Sequence, residues 1–393
     1  MRISMVGPFG LAPKGTMRAR ALPLARALVA RGHAVNVVMP PWHTPAEPAR
    51  VWDEDGVRLE YVSLAPRCPG LHPLVVSGRL LRRALAWRPD ALYVFKPIGY
   101  AGAALQWAVG LRRVGGYRGR VALDEDDWEG VGGWNALEER SWLARQVIAR
   151  QERWGLTHAD AVTVASRALE SLVWSLGVPP QRVNYLPNGS VPAVAGDGQA
   201  ARARYGLGSA PVVLLYTRFF EFDVERPLRV LGRVLAQAPA ARLLVVGQAL
   251  HPADDARFDR RAAELGLAAN VVRTGWLPAD ALPDCFAAAD AALYPFDDTL
   301  LNRCKCAAKL VELLAAGVPV VADAVGQNVE YIVQGESGLL VPSGDEQAMA
   351  EGVLRLLHEP RRSAELGEAA ARRMRAQFGW EQLAEIVLRA LQG

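Results

Sequence analysis

Two stretches gather side chains that could do chemistry. The first is Asp124-Glu-Asp-Asp-Trp-Glu129, five acids in six positions. Crowded carboxylates repel one another and raise some of their own pKa values. Such a run needs arginines, solvent or a bound ligand to offset it. Metal chelation is the rival role for these acids. The second stretch holds Lys305, Lys309 and Glu312, spaced i, i+4 and i+7, which on a helix share one face. The chain has only four lysines (Lys14, Lys96, Lys305, Lys309), and two of them are here. A cation near a helix N-terminus is unfavourable unless an anion also sits there. A helix start carrying lysines is, in physical terms, a phosphate site. An exposed salt-bridged stripe is the competing reading. Cys304-Lys-Cys306 lacks zinc spacing, and no second pair or histidine cluster completes it, so no metal site is expected.

Local signals fix the elements that must carry these groups. Ala308, Val311, Leu314 and Ala315 recur at helix spacing, and Gly317 stops that helix. The apolar run 318–322 then reads as a buried parallel strand. At the other end of the chain, Arg2–Val6 is a strand. A loop with Gly7, Gly10, Lys14, Gly15 and Thr16, a helix over 17–31 and a strand Ala34–Met39 follow. This βαβ opening predicts a doubly wound α/β sheet. A dehydrogenase is disfavoured: GxGxxG is absent, and the second strand runs into Met39-Pro40-Pro41 rather than an acid.

Further strands are expected at 57–62, Ala91–Phe95, 120–123, 160–165 and 183–186. After Pro187-Asn188-Gly189-Ser190 the pattern starts again, with strands at 211–216, Arg242–Val246 and Ala291–Tyr294. Helices are expected over 75–87 (basic, with Arg79, Arg82 and Arg83, and Arg88 just beyond), from 101, over 135–154, after a Ser166 cap, and over 380–391. The acidic run follows the strand at 120–123. Loops at the carboxyl ends of parallel strands are where doubly wound sheets bind ligands.

A chain of 393 residues suits two domains, and 51% hydrophobic with 22% charged residues is a globular composition. No apolar run reaches the roughly 18 residues of a membrane span. The first strand begins at once, so no signal peptide is expected and the reading is cytoplasmic. The cysteines Cys68, Cys285, Cys304 and Cys306 fit a reducing compartment. A net charge of +4 permits attraction to phosphorylated ligands or to an anionic membrane surface.

The run from Lys309-Leu-Val-Glu312 through Gly317-Val-Pro319, with Gly326, Glu330 and Gly335-Glu-Ser-Gly338-Leu-Leu-Val-Pro342, resembles the donor-binding segment of family 4 glycosyltransferases (glycosyl transferases group 1) of GT-B fold. The resemblance implies two Rossmann-like domains, 1–187 on the acceptor side and 188–377 on the donor side. A C-terminal helix, 378–393, would cross back to the first domain. It makes Glu312 the ribose ligand and Lys309 a diphosphate ligand, with Lys305 beside them. Arg218 matches the family's diphosphate-clamp arginine, and Arg226 is the nearest second cation. Gly275 and Trp276 lie in the loop that takes the base, and Gly15 joins the donor-binding residues. Cys304 stands where the family usually has an earlier glutamate.

In the acidic loop no histidine carries over, so Asp126 and Asp127 become the candidate acceptor-hydroxyl ligands or base. The implied activity is hexosyl transfer from a UDP- or GDP-sugar to an acceptor hydroxyl in the interdomain cleft, retaining and metal-independent, with no cofactor. The acceptor would be a carbohydrate, a lipid-linked sugar or a small molecule. No nucleic acid is implied, and a peripheral contact with the inner membrane face is left open through the basic helix at 75–87. The alternatives are a sugar-nucleotide epimerase of the same fold and a binding protein weakened in catalysis.

Overall fold

The computed structural model describes every residue except 13, 14, 46, 48 and 65–70. Lys14 and Cys68 therefore lie outside the described residues. The chain divides into two compact units: Met1–Gly189 with Cys304–Cys306 and Trp380–Gly393, and Ser190–Arg303 with Ala307–Gly379.

The first unit is built on an eight-stranded sheet: β1 (Arg2–Val6), β2 (Ala34–Met39), β3 (Val51–Glu54), β4 (Val57–Tyr61), β5 (Ala91–Phe95), β6 (Arg120–Glu125), β7 (Ala161–Val164) and β8 (Val183–Tyr185). The order is β3-β4-β2-β1-β5-β6-β7-β8. All pairs are parallel except β3 with β4. Helices cover both faces, so β5, for example, is buried along its whole length. Chain order reverses between β1 and β5, which makes the carboxyl ends of these strands the topological switch point. The helix Trp380–Gln392 packs on this unit beside the helix Leu22–Ala30. A Cβ on Gly189 would run into the Trp380 ring, so only glycine lets the segment pass there.

The second unit holds a six-stranded parallel sheet: β9 (Val212–Tyr216), β10 (Arg242–Val246), β11 (Val271–Gly275), β12 (Ala291–Tyr294), β13 (Val320–Asp323) and β14 (Leu339–Val341). The order β11-β10-β9-β12-β13-β14 places its switch point between β9 and β12. Apolar clusters fill both faces of this sheet.

Three local expectations are corrected. The helix over 135–154 is instead a short 3-10 turn, Trp134–Ala136, and a helix, Trp142–His158. Ser141 caps that helix by accepting from the Ala144 amide at 3.3 Å. Strand β3 is additional: Asp55-Gly56, both at positive φ (55° and 78°), makes a tight hairpin turn into β4. Lastly, Lys305, Lys309 and Glu312 do not share one helix. Helix Leu300–Cys304 ends, and a new helix, Ala308–Ala315, begins after a break. The break is stabilised because its freed backbone groups find partners. The Cys304 carbonyl accepts from Ser166 Oγ at 2.9 Å, and the Ala307 amide donates to Gln327 Oε1 at 3.0 Å. Gly317 does end the second helix, at φ 75°.

Candidate active site

The acidic run sits at the carboxyl end of β6 in the first unit, and strand alternation divides its acids. Asp124 points to a buried ion pair. Arg20 Nε and Nη2 reach its two oxygens at 2.7 and 2.8 Å, and Tyr93 and Thr163 hydroxyls add bonds of 2.9 and 2.6 Å. Arg20 also donates to the carbonyls of Leu186 and Pro187, so Asp124 holds the end of the first domain's chain and is structural. Glu125 points to the opposite face. It is fully buried, and among the described residues neither carboxylate oxygen has a hydrogen-bond partner. Burial, then the nearby Glu152 carboxyl, pushes its pKa well above the usual range. Glu152, on the helix Trp142–His158, accepts from the Glu129 amide at 2.6 Å, and burial raises it to about 8.

Asp126 and Asp127 come together around one cation. Lys96, at the end of β5, places its ammonium 3.0 Å from Asp126, 3.2 Å from Asp127 and 3.3 Å from Glu129. Thr16 Oγ1 donates to Asp126 at 2.9 Å, and the Cys306 amide to Asp127 at 3.4 Å. Burial raises the Asp127 pKa, against the pull of Lys96 and Lys305. The desolvation of Lys96 is outweighed by Asp126, Asp127, Glu129 and Glu125 together, so its pKa rises well above the ordinary lysine value. These carboxylates converge on an ammonium. Among the described residues no group of three or more His, Cys, Asp or Glu side chains is arranged to hold a metal ion.

In the second unit the candidate donor residues lie at the carboxyl ends of β9, β11 and β12. Glu312, on the helix Ala308–Ala315, accepts from the Tyr216 hydroxyl, while its Oε2 is buried and has no hydrogen-bond partner among the described residues. Burial raises its pKa, and Tyr216 and Lys309 partly oppose this. Lys309, one residue into the same helix, pairs with Glu221 at 3.2 Å and lies 5.9 Å from the Phe220 ring centroid. Arg218 is exposed just past β9. The next residue, Phe219, is buried at φ 62°, a left-handed conformation that bulky residues adopt only where the surroundings impose it. Gly275 ends β11 at φ 69°, and Trp276 beside it is 72% exposed, an indole face open for stacking. Gly15 is exposed, and an added Cβ there would meet nothing within 4 Å.

Two expected donor residues are placed otherwise. Arg226 is buried and bridges Asp297, at 2.9 Å, and Asp323. Its charge is balanced by two carboxylates, so it ties the carboxyl ends of β12 and β13 together rather than facing a diphosphate. Lys305 belongs with the first unit, in the break after Cys304, and its charge acts on Asp127. The basic helix is Leu71–Ala86. Arg79 donates to the Ser63 carbonyl at 2.7 Å and Arg83 pairs with Glu60, which leaves less of its charge for a membrane surface. No helix among the described residues is long and apolar enough to cross a membrane. The residues that sequence reading missed are Lys96, Thr16 and Glu152 on one side and Tyr216 and Glu221 on the other. The scarcity of lysine was the one signal that could have drawn attention to Lys96.

The family model described as "Glycosyl transferases group 1" matches residues 210–359, and "Glycosyl transferase 4-like domain" matches residues 15–189. A GDP-mannose-dependent alpha-(1-6)-phosphatidylinositol monomannoside mannosyltransferase of Mycolicibacterium smegmatis is 30% identical over 348 residues, 86% of this chain and 85% of that protein. A D-inositol 3-phosphate glycosyltransferase of Stackebrandtia nassauensis is 33% identical over 248 residues, 60% of this chain and 54% of that one. A 2-deoxystreptamine glucosyltransferase of Streptomyces kanamyceticus is 28% identical over 229 residues, covering 56% of each. Among solved structures, sucrose-phosphate synthase from Thermosynechococcus elongatus superposes with a TM-score of 0.73 at 22% identity, covering 98% of this chain and 96% of that one. The Anabaena HepE complex with UDP gives 0.72 at 18% identity, covering all of both chains. These two likenesses concern the fold.

Proposed function

Because this chain belongs to the group 1 glycosyl transferases of GT-B fold, a family of hexosyltransferases that use nucleotide-sugar donors, we propose the following division of labour for it. The second unit takes a UDP- or GDP-sugar. Glu312 accepts from the ribose hydroxyls, Arg218 and Lys309 meet the diphosphate, and Trp276 with the Gly275 turn receives the base. The first unit takes the acceptor at Asp126 and Asp127. The C1–oxygen bond of the donor breaks, the nucleoside diphosphate leaves, and cations stabilise its growing charge. The acceptor hydroxyl bonds to C1, and its proton passes to Asp126 or Asp127. Transfer proceeds with retention, the acceptor hydroxyl bonding to C1 on the face that the diphosphate leaves, and without a divalent ion, since Arg218 and Lys309 supply the positive charge.

The observation that carries this reading is the Glu312 carboxylate. It sits at the switch point of the second sheet, with one oxygen held by Tyr216 and the other buried and unsatisfied. A buried acceptor without a donor is costly in the free protein and is satisfied by a ligand hydroxyl. The relatives named above act on inositol-containing and 2-deoxystreptamine acceptors, which supports a cyclitol as the acceptor class and GDP-mannose as the first donor to try. Neither the epimerase nor the weakened binding protein is favoured by these findings.

The test is acceptor-dependent release of nucleoside diphosphate from GDP-mannose and UDP-glucose, with a panel of free, phosphorylated and amino-substituted cyclitols. The product anomer is read from its proton coupling. Release that no acceptor stimulates would overturn the reading.

A further inference from the structure

Lys96 occupies a position that its backbone disfavours. It is a non-glycine residue at φ 54°, left-handed, in the turn between β5 and the helix Gly99–Arg113. Glycine or asparagine would take this conformation at less cost. The turn is nevertheless well ordered by hydrogen bonds. The Lys96 amide donates to the Asp124 carbonyl at 2.9 Å, its carbonyl accepts from the Ile98 amide at 2.8 Å, and Gln151 accepts from the Gly99 amide at 2.9 Å. The left-handed backbone therefore serves to aim the side chain, and the side chain ends among carboxylates.

The groups that face the ammonium come from three elements. Asp126, Asp127 and Glu129 belong to the loop, at 3.0, 3.2 and 3.3 Å. Glu125 approaches from β6 and Glu152 from the helix Trp142–His158. Two further cations among the described residues act on the loop. Arg140 meets Glu129 at 3.5 Å, and Lys305 acts on Asp127. Without Lys96, the two candidate aspartates would stand beside Glu129, Glu125 and Glu152 with Lys305, which acts on Asp127, as the remaining buried lysine facing them among the described residues. Mutual repulsion would then push the loop apart.

We propose that Lys96 is the positioning residue of this loop: it fixes Asp126 and Asp127 in place and offsets their negative charge, so that one can take the acceptor proton. The proposal rests on the reading of Asp126 and Asp127 given above.

Two variants separate charge from packing. Lys96→Met keeps the stem and removes the charge, and Lys96→Arg keeps the charge. The pH dependence of kcat is measured for both with GDP-mannose and the cyclitol that most stimulates nucleotide release in the assay above, and donor affinity by calorimetric titration. Losing a cation at this distance should move the acid limb of the profile upward by about one pH unit in Lys96→Met, about a tenfold loss of rate below the limb. Donor affinity should stay within about twofold, because the donor residues lie in the other unit. Lys96→Arg should leave the limb in place. The double variant Lys96→Met/Glu129→Gln removes a competing negative charge and should return the limb part of the way.

An unmoved limb in Lys96→Met would overturn the proposal, as would an equal loss of activity in Lys96→Arg and Lys96→Met without any change in pH profile. Failure of both variants to fold would also overturn it, by making Lys96 a stability residue. If Asp126→Asn and Asp127→Asn each keep full activity, the reading of the loop itself fails, whatever Lys96 does.

Discussion

Replacing Glu312 by glutamine tests the donor site most directly. The substitution preserves shape and leaves a carbonyl oxygen for the Tyr216 hydroxyl, but it replaces the buried, unsatisfied carboxylate oxygen with a neutral amide. Hydrogen bonds to a charged acceptor are worth about 1.5–3 kcal/mol and neutral ones about 0.5–1.5 kcal/mol. With two ribose hydroxyls involved, the expected loss is ~1.5–3 kcal/mol, roughly 10- to 100-fold in affinity. Calorimetric titration with UDP, GDP and their 2′-deoxy forms should show the ribonucleotides weakened by that factor and the deoxy forms less.

Stability gives an internal control. A carboxylate whose burial raises its pKa does not favour the fold in its ionised form, so Glu312→Gln should not lower the Tm near neutral pH. The pH sign follows from the same shift. Only the carboxylate accepts both hydroxyls, so wild-type nucleotide affinity should fall as pH drops through the raised pKa, while the glutamine variant stays flat. Lys309→Met should weaken the diphosphates but not the free nucleosides. Because that change strands Glu221, it should be paired with Lys309→Met/Glu221→Gln. Unchanged nucleotide affinity in Glu312→Gln, or equal losses for ribo- and deoxy-ligands, would refute the assignment of the ribose to this residue.

Asp126→Asn and Asp127→Asn should lower turnover and leave donor affinity nearly intact, read by steady-state kinetics beside titration; matched losses in both would place these acids at the nucleotide. Transfer activity should survive EDTA, and complete loss restored by Mg²⁺ or Mn²⁺ would show that a metal, rather than Arg218 and Lys309, carries the diphosphate charge. Glu152, raised from 4.5 to about 8 by burial, contributes stability that is fully present below about pH 4.5 and is lost as pH rises through about 8. Thermal melts across that range should therefore fall more steeply for the wild type than for Glu152→Gln, and parallel curves would count against the buried acid.

The sequence by itself determined the parts that local rules govern. Alternating strands and helices predict two doubly wound sheets. Gly317 ends its helix because a positive φ there suits only glycine. Lys309 and Glu312 do lie one turn apart on a single helix, as their spacing requires. The hairpin of β3 is equally legible in Asp55-Gly56, a dipeptide that favours a two-residue turn. What tertiary structure alone decided is which charges meet. Sequence makes Arg226 a second cation for the diphosphate, but the order of β12 and β13 delivers Asp297 and Asp323 to it. Lys305 left its expected helix because Ser166 and Gln327 satisfy a backbone break that no periodicity predicts. Lys96 finds the acidic loop, and Tyr216 finds Glu312, because neighbouring parallel strands end side by side. Strand adjacency is set by the packing of the whole sheet, while residue spacing reports only along one element. The identities of the partners in a site at the carboxyl ends of several strands are therefore a property of the folded sheet.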